Sequence, residues 1–433
     1  MNIVFFVLIA LAFGVTAVKQ LSWVATGPTA VAPMQALAVG MIDAAGGAVT
    51  LALGLVGVMA LFLGLMKIAE AGGLLTIIAR LVRPLMVRLF PDVPAEHPAM
   101  GAMIMNMSAN ALGLGNAATP FGIRAMQELD KLNPHKGVAT DAMVLFLAIN
   151  TSSVTLLPTG VIALRASVGS QDPAGILPTT LFATIVSTTV AIIAVKLYQR
   201  FSPFTPLTDA VEPRTEQPET EETAVADMSG AGYPGWISYL ALGTIAALIP
   251  LTVIYGKAVA PWIIPGLMLG FVTFGLARGV RIYEVFVDGA RDGFQVAIRI
   301  IPYLVAILVA VGMLRASGAL DLFVQWIGPV TTRLGLPGEA LPMALLRPLS
   351  GSGAYGILAS IIQDPSVGPD SYTGYLVSTF QGSTETTFYV LAVYFGAVQI
   401  RRVRHALAAA LTADLAGIIG AIIACSLLYG ALS

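Results

Sequence analysis

The stretch QGSTETTFYVLAVYFG, residues 381–396, sets Gln381, Ser383, Thr384, Glu385, Thr386 and Thr387 almost side by side in an apolar segment long enough to cross a bilayer. Unpaired polar groups are costly in hydrocarbon, so such a cluster implies a helix broken where it faces protein or a wet cavity. A break exposes backbone N–H and C=O groups beside hydroxyls and a carboxylate, a donor set that suits a cation or a polar solute. Glu385 is the strongest single candidate, because an acid at membrane depth is expensive and faces an interior.

The rest of the chain agrees with a membrane setting. It has 433 residues, 57% hydrophobic and 11% charged, with mean hydropathy +0.84. Soluble domains carry roughly 25% charged residues. A net charge of −1 gives no footprint for nucleic acid. The single cysteine, Cys425, excludes a disulfide within the chain and reads as core packing. No Lys or Arg precedes the first apolar run, which is therefore read as a span and not as a cleaved signal.

With about 20 residues per spanning helix, spans are expected at 2–18, 48–66, 142–164, 176–195, 237–256, 259–277, 296–314, 374–398 and 406–430. Two further apolar segments, 99–122 and 340–363, are interrupted by SANALGLGN and SGSGAYG and read as re-entrant hairpins. On that reading, with a cytoplasmic N-terminus, 17 of the 23 Lys and Arg fall on the inner side, as the positive-inside rule requires. If both hairpins crossed, the bias would vanish. Residues 201–235, with seven acids to one Arg and scattered Pro and Thr, read as a disordered cytoplasmic linker. It divides a membrane half at 1–200 from another at 236–433.

The halves resemble each other. EAGGLLTIIARLVRPLMVRLFP (70–91) aligns with ASGALDLFVQWIGPVTTRLGLP (316–337), both amphipathic and suited to the membrane surface. Ser108 and Asn110 align with Ser350 and Ser352, and Asn150 to Thr155 with Gln381 to Thr386, Val154 standing where Glu385 does. An odd number of crossings separates the copies. The expected fold is thus all-α and polytopic, with two inverted-topology repeats, each holding an interfacial helix, a re-entrant hairpin and a broken transmembrane helix. Such repeats bring discontinuous helices together near the midplane in secondary transporters.

Candidate binding residues follow from the interruptions: Asn106, Ser108, Asn110 and Asn116 in the first hairpin, Asn150, Thr151, Ser152 and Ser153 in the first break, Ser350 and Ser352 in the second hairpin, and Gln381, Ser383, Thr384, Glu385 and Thr386 in the second break. The hydroxyls and amides have a plainer reading as caps or back-bonded groups, and Glu385 one as the partner of an Arg or of neighbouring hydroxyls that merely fixes helix packing. Arg347 reads as neutralising a bound anion, as a partner of Glu385 or as an interface marker, and Asp414 as a proton or sodium site or as packing. His97, His135 and His405 are singly spaced, SGSG lacks the leading glycine of a nucleophile elbow, and no metal or phosphate motif stands out, so no enzyme and no cofactor are expected.

NMSANALGLGNAATPFGIRAMQELDKLNP resembles the signature of the spore maturation protein A family, and RPLSGSGAYG with QGSTETTFYVLAVYFG resembles that of spore maturation protein B. The chain looks like a fusion of the two. Both families carry the nucleoside recognition, or gate, domain, which concentrative nucleoside transporters share, and the resemblance implies paired hairpins and broken helices. Those transporters carry a Gln-Thr-Glu element in the first hairpin, where this chain has Ser350, Gly351 and Ser352 in a hairpin and Thr384 and Glu385 in the following break. The expectation is a secondary transporter of a small polar solute in the bacterial cytoplasmic membrane, with Na⁺ or H⁺ as coupling ion and homo-oligomers compatible with it. The alternative is a non-transporting scaffold or regulator in envelope processes of the spore-maturation kind.

Overall fold

The structure is a computed structural model that describes residues 2–24, 30–113, 115–202 and 233–432. Most of the expected linker, and the side chain of Asn116, lie outside the described residues. The first half comprises α1 (Asn2–Leu21), α2 (Pro33–Ala71), α3 (Leu74–Leu89), α4 (Pro98–Ala111), α5 (Gly115–Lys131), α6 (Asp141–Thr151), α7 (Thr159–Ser167) and α8 (Ile176–Tyr198). The second comprises α9 (Gly235–Ala277), α10 (Ile282–Ser317), α11 (Ala319–Thr331), α12 (Leu341–Leu346), α13 (Gly351–Gln363), α14 (Tyr372–Ser383), α15 (Thr387–Ala397) and α16 (Ala406–Tyr429). From α2 and from α10 onward the order repeats: long helix, short amphipathic helix, helical pair, interrupted helix, long helix.

Glycine sets the first corner of each half. Gly73 (φ 84°) precedes α3 and Gly318 (φ 72°) precedes α11, left-handed conformations that cost glycine nothing. At Gly318 the chain turns by 74° from Leu304–Ser317 into Ala319–Trp326. In α3, Leu75, Ala79 and Met86 are buried while Arg80 and Arg88 are not, the one-sided pattern of a helix lying on a surface.

Matching helices of the two halves run antiparallel. Along α2 and α10 a Cβ on Gly64 would strike Phe286, one on Gly289 Lys67, one on Gly293 the backbone of Ala60, and one on Gly312 Ala44. Small residues let these backbones approach closely, which is how helices associate where no hydrophobic drive exists between them. Ser187 of α8 donates to the Ala413 carbonyl of α16 at 2.7 Å. Tyr429 at the far end of α16 donates to the Gly175 carbonyl before α8 at 2.6 Å.

Three helices among the described residues are long and apolar enough to cross a membrane alone: Pro33–Ala71, Pro173–Phe201 and Ala406–Leu432. The spans expected at 48–66 and 296–314 lie within longer helices, and those at 142–164 and 374–398 are interrupted. The pair expected at 237–256 and 259–277 falls within one helical run, α9, with no non-helical residue between the two. A straight 43-residue helix is about 65 Å long. Both ends nevertheless meet one short segment: Tyr233 N–H donates to the Arg80 carbonyl at 3.4 Å, and Phe274 packs on Gly72. The run therefore starts and finishes at the same side of the molecule. The second helical pair also departs from expectation, since its first arm, α12, has only six residues between Pro-containing turns.

Candidate functional site

The interruptions between α6 and α7 and between α14 and α15 lie against each other. Glu385 N–H, inside the second break, donates to the Thr151 carbonyl that ends α6, at 2.8 Å. Each break is also tied to the tip of its own helical pair: Leu156 N–H donates to the Ala111 carbonyl at 2.8 Å, and Phe388 N–H to the Pro348 carbonyl at 3.1 Å. Gly113 (φ 73°) permits the first of these, because a Cβ there would collide with the Leu157 carbonyl. Backbone groups freed by the breaks thus find partners in the neighbouring element.

Around the first break the polar filling is neutral and closed. Asn110 Nδ2 donates to Asn150 Oδ1 at 3.0 Å, and Asn150 Nδ2 donates to Asn106 Oδ1. Asn106 Nδ2 donates to the Ala118 carbonyl at 2.7 Å and to the Tyr394 hydroxyl at 3.2 Å, while Tyr394 donates to Asn150 Oδ1 at 3.2 Å. All three amides and Tyr394 are buried. The network joins α4, α5 and α6 of one half to α15 of the other, and Gly122 makes room for Tyr394, whose hydroxyl a Cβ would strike.

Around the second break the filling is charged. Arg347, only 5% exposed, donates from Nη1 to Thr386 Oγ1 at 3.1 Å and from Nη2 to the Thr384 carbonyl, and Nη2 stands 3.8 Å from Glu385 Oε2. It spans the loop from α12 to α13 and the break after α14, so the partner role holds and the interface-marker reading does not. Thr387, first residue of α15, donates to Asp414 Oδ2 of α16 at 2.7 Å. The Glu385 side chain is 49% exposed, whereas Asp414 is 3% exposed.

The remaining expected residues divide sharply. Ser108, Thr151, Ser152 and Ser383 donate back to helix carbonyls of Ile104, Ala148, Ala148 and Phe380, as hydroxyls in helices commonly do. Ser350 caps α13 by accepting from Gly353 N–H at 3.0 Å. Ser153 and Thr384 are buried at the breaks, Ser352 is exposed, and Gln381 Oε1 is buried without a partner among the described residues. Glu385, Thr384 and Thr386 gather round Arg347, while Asn106, Asn110 and Asn150 gather round Tyr394. Tyr394 was not a candidate; only its distant pairing marks it, and a lone tyrosine in YFG carries no such signal.

Two arginine latches, also absent from the candidates, close the opposite ends of the interrupted helices. At one end Arg165 of α7, 0% exposed, donates to the Pro369 carbonyl (2.6 Å), Ser170 (3.2 Å), the Asp172 carbonyl (3.1 Å) and Asp370 Oδ1 (3.0 Å). Its guanidinium lies 4.3 Å over the Tyr375 ring, which stacks on Tyr429 at 3.8 Å. Burial pushes the neighbouring Asp172 carboxyl up despite Arg165. At the other end Arg404, after α15, donates to Asp141 Oδ1 at the start of α6 (2.6 Å) and to the Ser202 carbonyl (2.7 Å). Each latch ties the finish of one interrupted helix to the start of the other.

Known proteins share these elements. A family model described as nucleoside recognition (Gate) matches residues 52–168 and 297–401, just over half of the chain and both interrupted helices. Spore maturation protein B of Bacillus subtilis (strain 168) is 46% identical over 167 residues, 39% of this chain and 93% of that protein. Spore maturation protein A of the same organism is 50% identical over 146 residues, 34% of this chain and 74% of that protein. Inner membrane protein YjiG of Escherichia coli (strain K12) is 38% identical over 86 residues, 19% of this chain and 54% of that protein. A solved structure, of a doubly substituted CNTnw in an outward-facing state, aligns over the whole chain with a TM-score of 0.47 and 12% identity, too loose a likeness to carry an argument.

Proposed function

The chain is a membrane protein that belongs to the nucleoside recognition (Gate) family, and from that premise we propose that it is a secondary transporter of a small polar solute. Its two halves are inverted copies, and the solute site lies where the two breaks meet. The observation that carries this reading is the hydrogen bond from Glu385 N–H to the Thr151 carbonyl, by which a break in one half completes a helix end in the other. Antiparallel matching of α2 with α10 and of α8 with α16 supports the inversion. The return of α9 to its starting side supports an inverted second copy, since it restores the crossing count read from hydropathy.

With both latches engaged and Glu385 the half-exposed charge between them, the arrangement corresponds to a closed intermediate of alternating access, the pattern of repeats rocking about a fixed central site. Glu385 serves as solute or ion ligand, with Gln381, Thr384 and Ser352 as hydrogen-bonding neighbours. The N-terminus and the linker are cytoplasmic in a multi-pass bacterial cytoplasmic membrane protein, supported by the 17 inner basic residues.

The test is reconstitution into liposomes with a panel of nucleosides, amino acids, short peptides and ions. Wild type should move at least one solute, and Glu385→Gln should abolish that movement; if wild type moves none, the reading fails. The scaffold alternative draws on the self-contained amide network at the first break, which needs no solute to complete it. Deleting 205–230 separates the two, because a scaffold that recruits through the linker loses its partners while transport survives.

A further inference from the structure

Asp414 is the ninth residue of α16, about 12 Å into the helix. Its Oδ2 accepts from Thr387 Oγ1 at 2.7 Å, while Oδ1 is buried with no hydrogen-bond partner among the described residues. No Lys, Arg or His nitrogen among the described residues lies within 4.0 Å of it; its electrostatic neighbour is Arg347, from the loop between α12 and α13. Beyond Arg347 lies Glu385. From α8 the hydroxyls of Ser187 and Tyr198 reach the adjoining residues Ala413 and Thr412. Among the described residues, no titratable group of α6 or α14 bears on it.

Counted as charges, the second break holds one guanidinium and two carboxyls, and Arg347 is already committed to Glu385, the Thr384 carbonyl and Thr386. Ionising Asp414 as well would leave a buried carboxylate without a cation of its own, since the one guanidinium is engaged elsewhere and Glu385 is half-exposed, an arrangement that buried charges avoid. A protonated Asp414 leaves a neutral Arg347–Glu385 pair and only a hydroxyl short of a partner, a much smaller penalty. Sodium fits poorly by comparison, because the guanidinium already occupies the carbonyl and hydroxyl oxygens that would coordinate it.

We infer that Asp414 is a proton-binding site: a neutral acid in this closed arrangement that ionises when Arg347 is drawn from Glu385 to Asp414. In that step the O–H bond at Oδ1 breaks, its electron pair stays on oxygen and the proton passes to water. As a coupling site this rests on the transport reading, with a proton as the coupling ion. As a binding site it stands on its own geometry.

Infrared difference spectra of the full chain in lipid nanodiscs at pH 7, without any solute, decide it. Wild type should show a protonated-carboxyl C=O band that Asp414→Asn removes. Thr387→Val should keep the band but move it to higher frequency, since Oδ2 loses its donor. Glu385→Gln should weaken it at least twofold, because Arg347 then turns to Asp414. Absence of any band lost in Asp414→Asn and shifted in Thr387→Val overturns the proton site, and a full-strength band in Glu385→Gln overturns the sharing of Arg347. Liposomes that move no solute would sink the transport reading while leaving this spectral result untouched.

Discussion

The break after α6 and the break after α14 meet the same backbone problem with different side chains. The first is braced by three asparagines and a tyrosine, joined in one hydrogen-bonded network, and carries no charge. The second is braced by one arginine that faces two acids, one half-exposed and one buried with an idle oxygen. A closed neutral network offers one arrangement, whereas a single cation beside two carboxyl groups can pair with either. Matching elements can therefore divide labour, the first break holding shape and the second changing state.

Variants can break that contrast, and the largest effect falls on the charged side. Arg347→Met leaves the buried Thr384 carbonyl and Thr386 hydroxyl without their donor, while half-exposed Glu385 is screened by solvent, and should cost about 3 kcal/mol, read as a large fall in the unfolding midpoint in detergent. Asn150→Leu removes the hub of the amide network and strands Asn106, Asn110 and Tyr394. A loss of about 2–3 kcal/mol is expected, together with unchanged solute affinity in a binding assay; a selective loss of binding would contradict the division of labour. Tyr394→Phe deletes two hydrogen bonds but keeps the ring stacked against Phe146. It should cost about 1 kcal/mol, in line with hydrogen bonds measured in membrane proteins.

The smallest expected effect lies outside both breaks. At Asp364, burial alone would raise the carboxyl, but hydrogen bonds from Ser366 and the Arg315 guanidinium outweigh it and hold the group below its ordinary value. A carboxyl depressed in the folded state contributes stability above its unfolded pKa, and that contribution is lost as pH falls through the folded one. Asp364→Asn should therefore lower the melting temperature slightly at neutral pH and not in acid below the folded-state pKa. Equal shifts at both would show that the ion pair contributes nothing.

The sequence made the interruptions legible, because clusters such as NTSSVT and QGSTETT are conspicuous in apolar surroundings. It did not reveal which hydroxyls were spent locally: Ser108 and Thr151 look like ligands until their helix carbonyls are seen. The latches escaped for a different reason. Arg165 meets Asp370 across 205 positions and Arg404 meets Asp141 across 263, and no local pattern encodes contacts so distant. At α9 helical backbone continues across the boundary that hydropathy placed between two spans, although the run doubles back so that both its ends reach the Gly72–Arg80 segment.

The glycine-lined seam of α2 and α10 gives the pair of halves an adhesion that owes nothing to their covalent junction. Expressed from separate genes, residues 1–202 and 233–433 should find each other and copurify in equal amounts. Joining them in one polypeptide then serves dosage: it fixes the stoichiometry at synthesis, so neither partner accumulates as an orphan in the lipid.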